Sequence, residues 1–212
     1  TKILSLFLEF IVRFIYRNVT SIMISSKGFE SKLKPYVKKD LIFNYLPNWA
    51  DDLNIDLVAA KLSIDTRVHF TFAGNIGKMQ NLENIINAYS SLSDMYKKKS
   101  QLNIIGEGSN SKHLKTLSEN NKYIIFHGSK PRKDMAKYYN ASNFLIISLN
   151  DEPVFYATVP AKTQTYIAAK KPILAFINGE TADIIKDYNL GLYANPSDIE
   201  SIKNVFEESI EM

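Results

Sequence analysis

PVFYATVPAKTQTYIAAKKPIL, residues 153–174, is the stretch that decides how this chain folds. Pro160 suits the start of a helix, where its missing N–H costs nothing, and the free amides of Ala161, Lys162 and Thr163 would point out of that helix end. Behind the helix stand Lys170, Lys171 and Pro172, then the apolar run 173–177, which reads as a buried strand of a parallel sheet. A helix feeding directly into a buried strand marks a layered α/β domain. Lys162 opposes the helix dipole, so helix stability does not account for it. A bound anion would; an ordinary surface lysine is the other reading.

The same alternation extends outward from this stretch. From Arg67 the periodicity predicts strands over 68–73, 101–105, 123–127, 144–148 and 172–177. Helices are expected over 79–96, 111–118, 133–139, 161–169, 182–188 and 199–210. Within the first of these, Leu82, Ile85, Ile86, Tyr89 and Leu92 keep the 3.6-residue period. Five buried strands with intervening helices make a doubly wound, Rossmann-like parallel sheet, because right-handed crossovers leave few other topologies.

Ahead of Arg67 the pieces are fewer. Residues 2–18 read as an amphipathic helical arm with Leu4, Leu8, Ile11 and Ile15 on one stripe. A strand over 21–24 follows, then a brief helix over 27–33 capped by Ser25 or Ser26 and ended by Pro35, then a strand over 41–45. PNWADDL, residues 47–53, reads as a connection. Strand, helix and strand cannot bury both their faces without neighbours, so residues 1–52 are expected to be the end of one domain and 53–212 a second, ligand-binding one.

Composition narrows the chemistry. The 212 residues include no cysteine, which excludes disulfides and thiolate metal sites and is compatible with a reducing cytoplasm. His69, His113 and His127 are widely separated, so no histidine metal cluster is expected. The formal charge of +4 is uneven: residues 1–50 hold eight Lys/Arg against three Asp/Glu. Glu9, Arg13 and Arg17 interrupt the apolar arm, so it falls short of the roughly 20 apolar residues of a membrane span. The stripe on the arm would face the chain's own core, a further domain or an anionic membrane surface. Nucleic-acid binding is not supported, because the basic residues lie in an apolar arm without a stripe of exposed aromatics.

Ligands of doubly wound sheets bind beyond the carboxyl ends of the strands. Four loops fall there. Gly74-Asn75-Ile76-Gly77-Lys78-Met79-Gln80 has two glycines directly after a strand and a helix behind them, which suits a phosphate or a plain structural turn. It is not the dinucleotide fingerprint, since no third glycine follows at the required offset and no acidic residue ends the next strand. Gly106-Glu107-Gly108 and His127-Gly128-Ser129 follow the next two strands, with His127 either a satisfied core histidine or a ligand contact. The loop over 149–159, with Asp151, Glu152, Phe155 and Tyr156, is long for this architecture, as functional loops are.

The order of these motifs resembles the carboxyl-terminal, donor-binding half of retaining glycosyltransferases with two Rossmann-like domains (the GT-B fold), in the family-four group of bacterial capsule, O-antigen and exopolysaccharide synthesis. The pieces are FAGNIGKMQN at 72–81, LNIIGEGS at 102–109, IIFHGS at 124–129, YYNASNFLIIS at 138–148, PAKTQTYIAAKKPIL at 160–174 and GETADIIKDYNLGLYANPSD at 179–198. Residues 11–33 followed by LPNWAD are similar to the end of the amino-terminal domain and the interdomain crossing. The resemblance implies a chain that begins partway through the first domain, with most of the acceptor-binding half as a missing partner.

It also implies roles. Gly74, Asn75, Gly77, Lys78 and Gln80, with Pro160, Ala161 and Lys162, would embrace the diphosphate of a nucleotide-sugar. Gly106, Glu107, Gly108, His127 and Gly128 would lie beside the nucleoside, and Glu152 to Tyr156 near the sugar. Lys78, Lys162 and Glu152 are the candidate catalytic residues. The basic pair common in the first loop falls on Asn75 and Gln80, and the paired glutamates fall on Ala157 and Thr165, where a hydroxyl at Thr165 replaces the group that usually holds the ribose. The implied reaction is transfer of a sugar from a nucleotide diphosphate sugar to a saccharide or lipid-linked acceptor with retention, needing no metal or other cofactor. A non-catalytic nucleotide-binding or interaction module and a sugar-nucleotide epimerase are the alternatives. The expected location is cytoplasmic, with the arm allowing peripheral contact at the inner face of the cell membrane.

Overall fold

Six parallel strands run side by side through the larger part of the molecule in the order β5-β4-β3-β6-β7-β8. They are β3 (Val68–Ala73), β4 (Ser100–Ile105), β5 (Ile124–Gly128), β6 (Phe144–Ser148), β7 (Ile173–Phe176) and β8 (Gly191–Tyr193), in a computed structural model that describes residues 2–50 and 66–212. β1 (Ser21–Ile24) and β2 (Ile42–Tyr45) form a separate two-stranded parallel sheet. The expected boundary between residues 52 and 53 lies outside the described residues.

Alternation along the strands builds a core on each face of the large sheet. Phe70 and Phe72 of β3 point to one face, where Phe144, Phe176 and Phe206 meet them with Ile85, Ile86 and Tyr89. That face is covered by α3 (Leu82–Ser90) and α9 (Ile199–Glu211). Ala73 points to the other face, with Leu145, Ile147, Ala175, Tyr139 and Tyr166. There it meets α6 (Met135–Ala141) and α7 (Lys162–Ala168), with Ile185 of α8 (Glu180–Asp187).

The expected doubly wound α/β sheet is present, with two differences in its elements. The sheet has six strands rather than five. β8 is three residues long, partly exposed and at the sheet edge, so it lacks the apolar run that marks its neighbours. The single helix expected over 79–96 is three elements: a 3₁₀ turn at Lys78–Gln80, α3, and α4 (Asp94–Lys99). Asn81 enters the left-handed region at φ 52°, and Ser93 is extended at φ −62° and ψ 157°, so the helical ladder stops on both sides of α3. Apolar spacing continues across the break because Leu92 still reaches the core.

The amino-terminal arm is α1 (Lys2–Arg17), and none of its residues is buried. Among the described residues the core does not cover its stripe: Leu4, Leu8 and Ile15 are exposed along with Phe7, Phe10 and Phe14, and Ile11 is half-buried. Among the described residues no helix is long and apolar enough to cross a membrane. α2 (Gly28–Leu33) is not capped by a serine side chain. The Ser26 hydroxyl instead donates to the Ala157 carbonyl and lies 2.6 Å from Glu180, while the amides of Lys27 and Gly28 donate to the same carboxylate at 2.8 and 2.6 Å. This clasp fastens the first 50 residues to the large sheet.

Candidate functional site

The strand order reverses at β3, which has β4 on one side and β6 on the other. Ligand crevices form at such switch points. Here the loops after β3, β4 and β5 are stitched together through their backbones. Gly74 donates to Ile105 O at 2.9 Å, Gly106 to Gly128 O at 2.9 Å, Ile76 to Glu107 O at 3.1 Å and Asn110 to Ile76 O at 2.9 Å. At Gly106 the backbone holds φ +133°, and a Cβ there would stand 1.8 Å from the Gly74 carbonyl oxygen. Only glycine combines that conformation with that approach.

α7 brings Lys162 to this loop stack. Tyr166 lies one helical turn after Lys162 on the same face, fully buried, with its hydroxyl 3.3 Å from both the amide and the carbonyl of Ala73. That tie sets the helix against the end of β3. The Lys162 ammonium then sits beside Gly74, 2.9 Å from where a Cβ on that glycine would be, and 4.1 Å from the centre of the Phe72 ring. No carboxylate among the described residues pairs with it, and burial pushes its pKa down to about 8. Close by, Thr163 Oγ1 is buried without a hydrogen-bond partner among the described residues.

Next to Gly74 opens a cavity of about 360 Å³, walled by Asn75, Gly106, Glu107, Lys130 and Arg132. Glu107 is turned toward Lys115, 3.2 Å away, and the Ser111 hydroxyl and Lys115 hold its carboxyl below the usual range. Gly128 closes this side of the stack, and Gly108 packs on the Ile76 carbonyl. Lys130 and Arg132, both basic, were not singled out in the sequence; their signal was a cluster of charge directly after the fifth strand.

Other candidates stand elsewhere. Lys78 is exposed and lines a different cavity of about 580 Å³ with Asn81, Asn84, His113 and Asn150. Gln80 accepts the Gly77 amide at 2.9 Å and so caps its own turn. His127 is partly buried, 2.9 Å from Asn103 Oδ1 and edge-on to Tyr138; burial, Lys130 and His69 all hold its pKa down. Glu152 is exposed and bonded to Asn150 within its own loop. Pro160 O accepts the Thr163 amide, Ala161 precedes the first helical residue, and Thr165 is buried on the inner side of α7. The long loop is locked by Asp151, which accepts from Tyr156 and Asn178 at 2.8 and 2.6 Å. No cluster of potential metal ligands occurs among the described residues.

Residues 55–212 match the family model described as "Glycosyl transferases group 1". The chain belongs to this family. A probable glycosyltransferase of Pseudomonas aeruginosa, WbjE, is 26% identical over 94% of this chain and 52% of its own length. The chain thus spans about half the length of the curated relative it matches. Among solved structures, WaaG, a glycosyltransferase involved in lipopolysaccharide biosynthesis, superimposes with a TM-score of 0.73 at 17% identity, covering 90% of this chain and 53% of WaaG. Anabaena HepE does so at 0.73 and 13%, covering 94% and 56%. The chain has the fold of a GT-B half domain.

Proposed function

We propose that this group 1 glycosyltransferase domain binds the diphosphate of a nucleotide-sugar at the junction of Gly74 and α7, and supplies the donor-binding half of a retaining transfer to a saccharide or lipid-linked acceptor. The observation that carries the reading is the Lys162 ammonium, partly buried against Phe72 and beside Gly74 without a carboxylate among the described residues. A lysine so placed lacks a counter-anion, and a phosphate oxygen is a fitting one. HepE, similar in fold, is described in complex with UDP and with UDP and glucose, which supports a uridine nucleotide here.

In this reading the nucleoside enters the cavity walled by Gly106, Glu107 and Lys130. Transfer leaves negative charge on the departing diphosphate, and Lys162 with the loop amides would stabilise it. Ala157 and Thr165 stand where the family's glutamates are expected, so the ribose would be held by a hydroxyl. That substitution favours a second reading, a nucleotide-binding module without turnover. Calorimetric titration with UDP and GDP tests the first point: micromolar to millimolar binding of either supports the cradle, and no binding of both overturns it. A turnover assay on this domain paired with an acceptor-binding half separates the readings: transfer supports the first, and binding without transfer supports the second. This chain alone is expected to bind nucleotide and to transfer nothing, since the acceptor-binding half would have to come from the rest of a two-domain enzyme.

A further inference from the structure

An amine is a nucleophile only after it has lost its proton, and burial away from carboxylates favours that loss. Lys162 has those surroundings. Its nitrogen lies over the Phe72 ring and beside the bare backbone of Gly74, and Tyr166 ties α7 down there, so the amine is not swept out into water as on a loose surface helix. The side chain is half-buried and stays reachable from solvent. By contrast, Lys115, Lys137 and Lys203 each have a carboxylate as counter-ion, at 3.2, 3.2 and 2.8 Å. At pH 7.5 a pKa of about 8 leaves about a quarter of the Lys162 amines neutral, against roughly one in a thousand for an ordinary lysine.

Delivery comes from the neighbouring cavity. Gly74 is also a wall of the space of about 360 Å³ beside the loop stack, whose rim carries Lys130 and Arg132. Two cations on a rim suit a phosphate group, and a phosphate that carried an acyl carbon would bring it next to the Lys162 nitrogen.

We propose that Lys162 is an acylation site for small acyl phosphates, which the cradle collects and which react there without a further enzyme. The modification rests on the anion-binding reading of the cradle, but not on the anion being a nucleotide. In the step, the neutral Nζ attacks the acyl carbon and the carbon–oxygen bond to phosphate breaks. Inorganic phosphate leaves with the bonding pair, the surplus proton on nitrogen passes to water, and nothing is oxidised or reduced. The product is an uncharged amide. It cancels the charge that would face a diphosphate, so the acylated chain is switched off for anions.

The test is incubation of the full chain with acetyl phosphate at pH 7.5, read lysine by lysine by peptide mass spectrometry. Lys162 should be acetylated about tenfold faster than Lys78 and Lys170, both exposed, with its larger neutral fraction partly offset by burial. Its rate should level off once the pH passes the amine's pKa. Inorganic phosphate should protect Lys162 and leave the two exposed lysines unchanged. Lys130→Gln should slow the reaction with acetyl phosphate severalfold and leave that with acetic anhydride, which carries no phosphate, as it was. Equal rates at the three lysines, no protection by phosphate, or a preference for Lys162 with the anhydride alone would each overturn the proposal. Fast, phosphate-protected acetylation of Lys162 in a chain that UDP neither binds nor protects would sink the nucleotide reading and leave the acylation site standing.

Discussion

The ammonium nitrogen of Lys162 lies 4.1 Å from the centre of the Phe72 ring, and no described carboxylate shares its surroundings. The ring face returns part of the lost hydration, on the order of 1 kcal/mol, which is less than a buried charge gives up. The residue therefore weakens the empty protein and gains from an anion.

Lys162→Ala should lower UDP affinity about tenfold, the scale of one charge-assisted hydrogen bond, with the fold intact by circular dichroism. The pH dependence follows from the same burial. With a pKa of about 8 against an ordinary 10.5, the folded state binds fewer protons than the unfolded state between those values. Stability of the empty protein should therefore rise with pH through that window, and UDP affinity should fall above pH 8. Lys162→Met should remove both trends, as read by thermal melts and calorimetry.

Tyr166→Phe takes away the hydroxyl that ties α7 to Ala73. A loss of about 1 kcal/mol in denaturant unfolding is expected. Because Lys162 rides one turn away, UDP affinity should drop with it, and the Lys162→Ala background should mask that drop in a double-mutant cycle.

Gly106→Ala would drive a methyl into the Gly74 carbonyl from a backbone at φ +133°. The cost should exceed about 3 kcal/mol, enough to leave the chain insoluble or unfolded at 37 °C. Glu107→Gln, next to Gly106 and exposed, should express and fold normally; equal behaviour of the two variants would contradict the packing described.

Glu180→Ala should release the clasp to Ser26, Lys27 and Gly28, at about 2 kcal/mol for hydrogen bonds to a charged group. Burial raises the Glu180 pKa, but the Ser26 hydroxyl and the two amides outweigh it and hold the carboxyl below its ordinary 4.5. Its contribution is thus present above pH 4.5 and lost as pH falls below it. Increased cleavage within residues 18–46 is the readout, by trypsin at neutral pH in the variant and by pepsin in the acidified parent.

The large sheet was legible because β6 and β7 are near-continuous apolar runs, which have few other uses, and β3 and β4 carry Phe70, Phe72, Leu102 and Ile104 in strict alternation. β8 and the break after Ser90 were not, since a three-residue edge strand and a short interruption leave the apolar spacing unchanged. The candidate site was legible in the glycines of its loops and in Lys162, whose charge opposes the helix dipole. Tyr166 reads as plain core. Ser26 and Glu180 are 154 residues apart, and no local pattern announces such a pair. Gln80 shows the reverse: a polar side chain in the right loop that serves its own turn.

The close approach of Gly106 to the Gly74 carbonyl reaches beyond one variant. The two loops interlock as a tongue and groove, so exchanging either one with a homologous enzyme would leave a mismatched joint. Loop exchanges should transplant both segments together, or leave the main chain alone and vary only Asn75, Lys130 and Arg132 on the rim of the cavity.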